Sequence, residues 1–126
     1  MPSWDEAVDL FERRRKAWLA DDLDAYLALW ADDMTFLSPM HDEPVVGKPA
    51  YEELIRRPQA FVKPLGFDIV SLAVNGDLVL AEWKITLEWR VQNTVVSYSG
   101  MSRCRMRDGL ITEWVEYWNA SDMQMH

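Results

Sequence analysis

A single cysteine, Cys104, in 126 residues excludes an internal disulfide and fits a reducing, cytoplasmic compartment. As a nucleophile it would need a nearby base. Its neighbours Arg103 and Arg105 would point to the opposite face of a strand, so a buried structural thiol is expected. Histidine is nearly as scarce, with only His41 and the terminal, frayed His126, so no imidazole-based metal site is expected. No apolar run approaches the ~20 residues of a membrane helix; the longest, Ile69 to Val74, already contains Ser71. The N-terminal Met-Pro-Ser-Trp-Asp-Glu-Ala lacks a basic segment followed by an apolar one, so no secretory signal is expected. Also missing are a phosphate-cradling glycine loop, a nucleophile elbow and a dinucleotide fingerprint, so no cofactor is expected. Basic residues are outnumbered 13 to 21, and the net charge of −8 argues against nucleic acid and anionic membranes as partners. The clusters Arg13-Arg14-Arg15-Lys16 and Arg103/Arg105/Arg107 read as a solvated helix face and the polar side of a sheet.

What is present is a globular composition, 49% hydrophobic and 27% charged, enough for one domain spanning residues 1–126 with a real core. Ser3 and Glu6 form a capping-box pattern ahead of Ala7, Leu10, Phe11, Arg14, Ala17 and Trp18 at helical spacing, with Arg14 the one interruption. That helix should run to about Leu19. Asp21-Asp22 restarts a shorter one on which Leu23, Tyr26, Leu27 and Trp30 share a face. Met34 to Leu37 reads as a strand, Pro39 to Pro49 as a loop, and Ala50 to Arg57 as a helix stopped by Pro58. Strands then follow at Phe67–Val74, Leu78–Arg90, Val95–Met106 and Leu110–Trp118, with hairpin turns at Asn75-Gly76-Asp77 and Asp108-Gly109 and a bulge or bend expected at Gly100.

Helices first and antiparallel strands afterwards make an α+β fold. The row Val79, Ala81, Trp83, Ile85, Leu87, Trp89 should face the helices, together with Gly100, Ser102, Cys104 and Met106. On the last strand Thr112, Trp114, Glu116 and Trp118 form one row, and Ile111, Glu113, Val115 and Tyr117 the other. Neither row is polar, so this strand should be central, and the outer sheet face should meet a second copy in a homodimer.

Three segments, AWLADDLDAYLALWADDMTFLSP, VVGKPAYEELIR and RMRDGLITEWVEYWNAS, resemble the nuclear transport factor 2-like superfamily and its SnoaL-like members. The resemblance implies a cone-shaped fold in which helices and a strongly curved sheet enclose an apolar pocket, shared with polyketide cyclases, ketosteroid isomerase and limonene-epoxide hydrolase. The catalytic residues of those relatives do not carry over. Where the isomerase has aspartates, this chain has Ser38 and, nearby, Ser102; where the hydrolase has an arginine and an aspartate on the long strand, it has Trp83 and Ile85. The hydrolase tyrosine and asparagine resemble Phe36 and Ser38, and only its last-strand aspartate has a counterpart, in the segment around Glu116.

Glu116 is the first candidate for acid–base work, as a carboxyl group between Trp114 and Trp118 on an inward row. His41 follows, because its side chain type titrates nearest neutral pH and its loop should rim the pocket. Tyr26 and Tyr98 could donate to a carbonyl or enolate oxygen, and Trp30, Phe36, Trp83, Trp114 and Trp118 should wall a site for a flat, apolar small molecule. Three readings stay open: a cofactor-free isomerase, cyclase, dehydratase or hydrolase; a carrier or sensor of a hydrophobic metabolite; and a dimerisation module with a vestigial cavity.

Overall fold

The computed structural model describes residues 2–119, 121 and 124–125; His126 lies outside the described residues. The capping box forms as the sequence predicts. Ser3 Oγ accepts from the Glu6 amide at 3.1 Å and Glu6 Oε1 accepts from the Ser3 amide at 3.4 Å, starting helix α1 (Trp4–Leu19). Asp22 caps the short α2 (Leu23–Leu27), accepting from the Ala25 amide at 3.1 Å.

That second helix ends earlier than its apolar periodicity implies. Trp30 opens strand β1 (Trp30–Leu37) instead of closing a helical face, because the backbone there pairs with the last long strand: Trp30 is opposite Ile111, and the Ile111 amide donates to Leu29 O at 2.9 Å. A two-residue strand β2 (Val45–Val46) pairs with β1 inside the expected loop, and α3 (Lys48–Arg56) begins at Gly47 and Pro49. A 3₁₀ turn (Arg57–Ala60) carries the chain through Pro58.

Strand β3 (Val62–Asn75) starts well before Phe67. Pro64 and Gly66 are tolerated because β3 is an edge strand in the order β2-β1-β6-β5-β4-β3. Register shifts at Pro64/Gly66 and Ile69/Ser71 bend it. Next come β4 (Leu78–Trp89), β5 (Thr94–Arg107) and β6 (Leu110–Tyr117), joined by hairpins, with Asp108 (φ 53°) and Gly109 (φ 79°) forming the tight left-handed turn the sequence predicts. A short β7 (Gln124–Met125) pairs with β5. The sheet is mixed rather than wholly antiparallel, since β1 runs parallel to β6. Successive hairpins leave β6 pointing the same way as β1, which docks beside it and makes β6 central.

Side-chain parity holds along the long strands. Val79, Ala81, Trp83 and Ile85 are buried, as are Gly100, Ser102, Cys104 and Met106, whereas Trp89 emerges beyond the helical cover. The three β5 arginines lie outside, on Glu113 (2.9 Å), Asp77 (2.8 Å) and Asp33 (3.0 Å). Leu80, Met101 and Tyr117 are exposed on that outer face. Parity fails at one place on β6. A bulge at Thr112, whose Oγ1 donates to Arg105 O at 3.3 Å, returns Ile111 to the buried side.

Gly100 is not a bulge, because the β4–β5 register passes it unbroken. It is a platform for Trp83, whose indole lies across it and donates from Nε1 to Ser102 Oγ at 3.2 Å. A Cβ at Gly100 would stand 2.5 Å from Trp83 Cη2. Gly100→Ala should therefore cost about 1–3 kcal/mol by overpacking. Urea unfolding in a Trp83→Leu background checks the cause, since the penalty should largely vanish there.

Candidate active site

Ser38-Pro39-Met40-His41 is a turn in which serine and proline occupy favoured places, and the His41 amide donates to Ser38 O at 3.1 Å. The turn immobilises the imidazole. The buried Ser38 Oγ lies 3.0 Å from His41 Nδ1 and accepts from the Met40 amide at 3.2 Å, and the ring stands edge-on to Phe36 at 6.1 Å. Nε2 has no hydrogen-bond partner among the described residues.

His41 faces a cavity of about 510 Å³. The end of α1 contributes Ala17 and Trp18, α2 Leu23 and Tyr26, and β1 Phe36. Leu54 and Ile55 come from α3, Val62 and Pro64 from β3, and Tyr98 from β5. The walls are thus mainly apolar, with a few polar groups, the usual build of a small-molecule site.

Beneath Tyr26 lies a group the sequence pattern misassigned. Arg14 is buried, not part of a solvated face. Its guanidinium carbon sits 4.3 Å over the Trp114 ring, 4.8 Å from Phe67 and 5.4 Å from Tyr26, and Nη2 donates to the Tyr26 hydroxyl at 3.2 Å. Burial opposes its charge. The Tyr26 and Tyr51 hydroxyls and the Glu116 carboxylate outweigh that, leaving the guanidinium pKa above its ordinary value. The available signal was its position: Arg14 falls on the apolar stripe of α1, where a solvated arginine has no place.

Tyr51 was also missed. Its hydroxyl is buried and lies 2.8 Å from that of Tyr26. Burial raises its pKa well above the usual phenol value, and burial followed by Glu116 does the same to Tyr98, so both stay protonated at neutral pH. Either hydroxyl could donate, but among the described residues the buried Tyr51 hydroxyl has no other partner than Tyr26, which favours Tyr51 as the donor. Tyr26 then accepts from both Arg14 and Tyr51, and its own proton is left to donate elsewhere.

Of the site residues expected from the sequence, His41, Tyr26, Phe36 and Tyr98 are brought together on the cavity wall. Trp30, Trp83 and Trp114 are not on it. They are fully buried in the packed core: Phe11 of α1 lies 5.6 Å from Trp114 with Arg14 beside it, Tyr51 of α3 lies 4.6 Å from Trp30, and Phe67 of β3 stacks on Trp83 at 6.0 Å. Trp118 is half-buried, its ring tilted against Tyr98 at 5.3 Å. Glu116 is outside the lining as well: Oε1 accepts from Trp114 Nε1 at 2.9 Å and Oε2 from Trp118 Nε1 at 2.7 Å. Trp18 is the indole that reaches the cavity. Cys104 is buried and its thiol pushed up to about 12 by burial, as befits an inert group. Among the described residues no three His, Cys, Asp or Glu side chains converge as metal ligands, and no helix is long and apolar enough to cross a membrane.

Comparison with solved structures finds the same fold repeatedly. An LEH-like epoxide hydrolase of M. tuberculosis aligns over 97% of this chain and 89% of its own, at 25% identity and a TM-score of 0.81. A Δ5-3-ketosteroid isomerase from Mycobacterium sp. aligns over 96% and 98%, at 18% identity and 0.81. A computationally designed 17-OHP binder aligns over 96% and 98%, at 20% identity and 0.82. The last two similarities speak to fold alone. No curated protein matches the sequence. The family model of the SnoaL-like domain matches residues 11–114, from within α1 to the centre of β6. With helices packed on the curved sheet of the nuclear transport factor 2-like cone, the chain belongs to the SnoaL-like family.

Proposed function

We propose that the protein carries out cofactor-free acid–base chemistry on an apolar small molecule in this cavity, of the isomerase, cyclase, dehydratase or hydrolase type, with His41 moving the proton. The observation that carries the reading is an imidazole held by Ser38, its Nε2 without a partner among the described residues, on the wall of a mainly apolar cavity. Ser38 can either accept from Nδ1–H or donate to a bare Nδ1, so the pair supports both imidazole tautomers and leaves Nε2 to the substrate. Tyr26, backed by Arg14 and Tyr51, is suited to donate to a substrate oxygen on which negative charge develops. Glu116 is assigned instead to the core, where both its oxygens are engaged by indoles.

The test begins with a turnover screen over apolar ketones, epoxides and polyketide-like aromatics. On a substrate so found, His41→Ala should lower kcat/KM about hundredfold without changing the unfolding midpoint, and one limb of the pH–rate profile should disappear. Tyr26→Phe should lower kcat. A His41→Ala profile superimposable on wild type removes His41 from the mechanism. Tight binding with no turnover by wild type replaces the catalytic reading with that of a carrier.

A further inference from the structure

The cavity wall carries formal charge of one sign. Asp21 and Asp22 lie on it beside the α1–α2 turn, and among the described residues no lysine or arginine does and His41 is the one basic side chain. Two cations touch wall residues and are already partnered. Arg90 reaches from the β4–β5 turn to Asp21 Oδ2 at 3.2 Å, and Arg14 lies beneath Tyr26, offset by Glu116. Asp22 uses Oδ1 to cap α2 and has no cationic partner among the described residues. Independently, the wall presents the aromatic side chains of Trp18, Tyr26, Phe36 and Tyr98, and ring faces attract cations and not anions. The net charge of −8 acts in the same direction on approach.

We propose that the cavity sorts ligands by charge: it takes neutral and cationic apolar molecules, amines in particular, and turns away carboxylates. The proposal rests on the reading of this cavity as the ligand site and adds the class of molecule it accepts. Its chemistry is simple. A carboxylate entering here would lose water with no lysine or arginine on the wall to meet it, whereas an ammonium group can remain near Asp22 while its apolar body lies against the rings. A neutral alcohol or ketone incurs neither effect.

Three probes of matched shape test this by titration calorimetry on the whole protein: 2-naphthylethylamine, 2-naphthylethanol and 2-naphthylacetate. The amine should bind tightest and the carboxylate weakest, with about tenfold between them at low salt, narrowing at 0.5 M NaCl as the exposed Asp22 is screened. Asp22→Asn retains the helix cap, since asparagine caps as well as aspartate. It should close most of the gap between the charged probes and leave the alcohol unchanged. The proposal is overturned by a carboxylate that binds as well as the amine, or by an Asp22→Asn variant that shifts all three alike. Binding by none of the three overturns the cavity reading with it. The expected order together with an inert His41→Ala substitution would leave charge selection standing while removing the catalytic assignment.

Discussion

Replacing Arg14 by alanine should destabilise the protein by about 3–5 kcal/mol, the range found when one member of a buried charged pair is removed or a large core side chain is truncated. Arg14 is a long side chain only 7% exposed, fitted among Trp114, Phe67 and Tyr26, so the substitution leaves a void as well as an unbalanced carboxylate. The counter-charge is reached through an indole. The guanidinium lies on the face of Trp114, whose N–H donates to Glu116, so cation, ring and anion form one chain of favourable contacts. Arg14→Met, which refills the volume, should cost distinctly less than alanine. Glu116→Gln should also destabilise, because glutamine offers one acceptor oxygen where Glu116 serves two indoles. If the chain of contacts is real, the double variant Arg14→Met/Glu116→Gln should be more stable than the sum of its parts by about 1–3 kcal/mol. Urea unfolding of the four proteins closes the cycle, and additivity within about 0.5 kcal/mol would falsify the coupling.

Alkali should weaken the fold steeply above pH 9. The Cys104 thiol is fully buried and held up to about 12 from an ordinary value of 9.0, so the folded state keeps a proton that the unfolded chain releases. A raised folded-state value means that stability is whole below pH 9 and declines as pH climbs towards 12. Each pH unit in that window removes about 1.4 kcal/mol per group, so Cys104 alone accounts for about 4 kcal/mol. Tyr51 and Tyr98 add to the loss above pH 10, both raised first of all by burial. Denaturation midpoints measured at pH 8, 9, 10 and 11 should fall progressively. Cys104→Ala should flatten the segment between 9 and 10, where the phenols are still silent. A wild-type stability constant from pH 8 to 11 would contradict the burial of all three groups.

Much of this architecture was open to inspection in the residue order. The capping box at Ser3 and Glu6, the Asp22 cap, the Asp108-Gly109 turn and the alternation from Val79 to Ile85 are local patterns, set by hydrogen-bond geometry within a few residues and by the two-residue period of a strand. His41, Tyr26, Phe36 and Tyr98 could be nominated for the cavity in the same way, from residue type and place in the element order. Arg14 stood in plain view on the apolar face of α1, but three basic neighbours disguised it.

Amino-acid order by itself determined the α+β class, the succession of hairpins and which side chains of each long strand turn towards the helices. Those properties depend on contacts between near neighbours in the chain. Only the tertiary structure decided how the interior is divided between packed rings and open space. Trp83 and Trp114 point inward as their parity requires, yet with Trp30 they fill the core, because Phe11, Tyr51 and Phe67 from other elements pack on them and the open volume is left near the Ser38–His41 turn instead. The parallel pairing of β1 with β6 and the seating of Arg14 on Trp114 and Phe67 belong to the same class. Each depends on where segments distant in sequence come to rest against one another, and periodicity along the chain carries no measure of that distance.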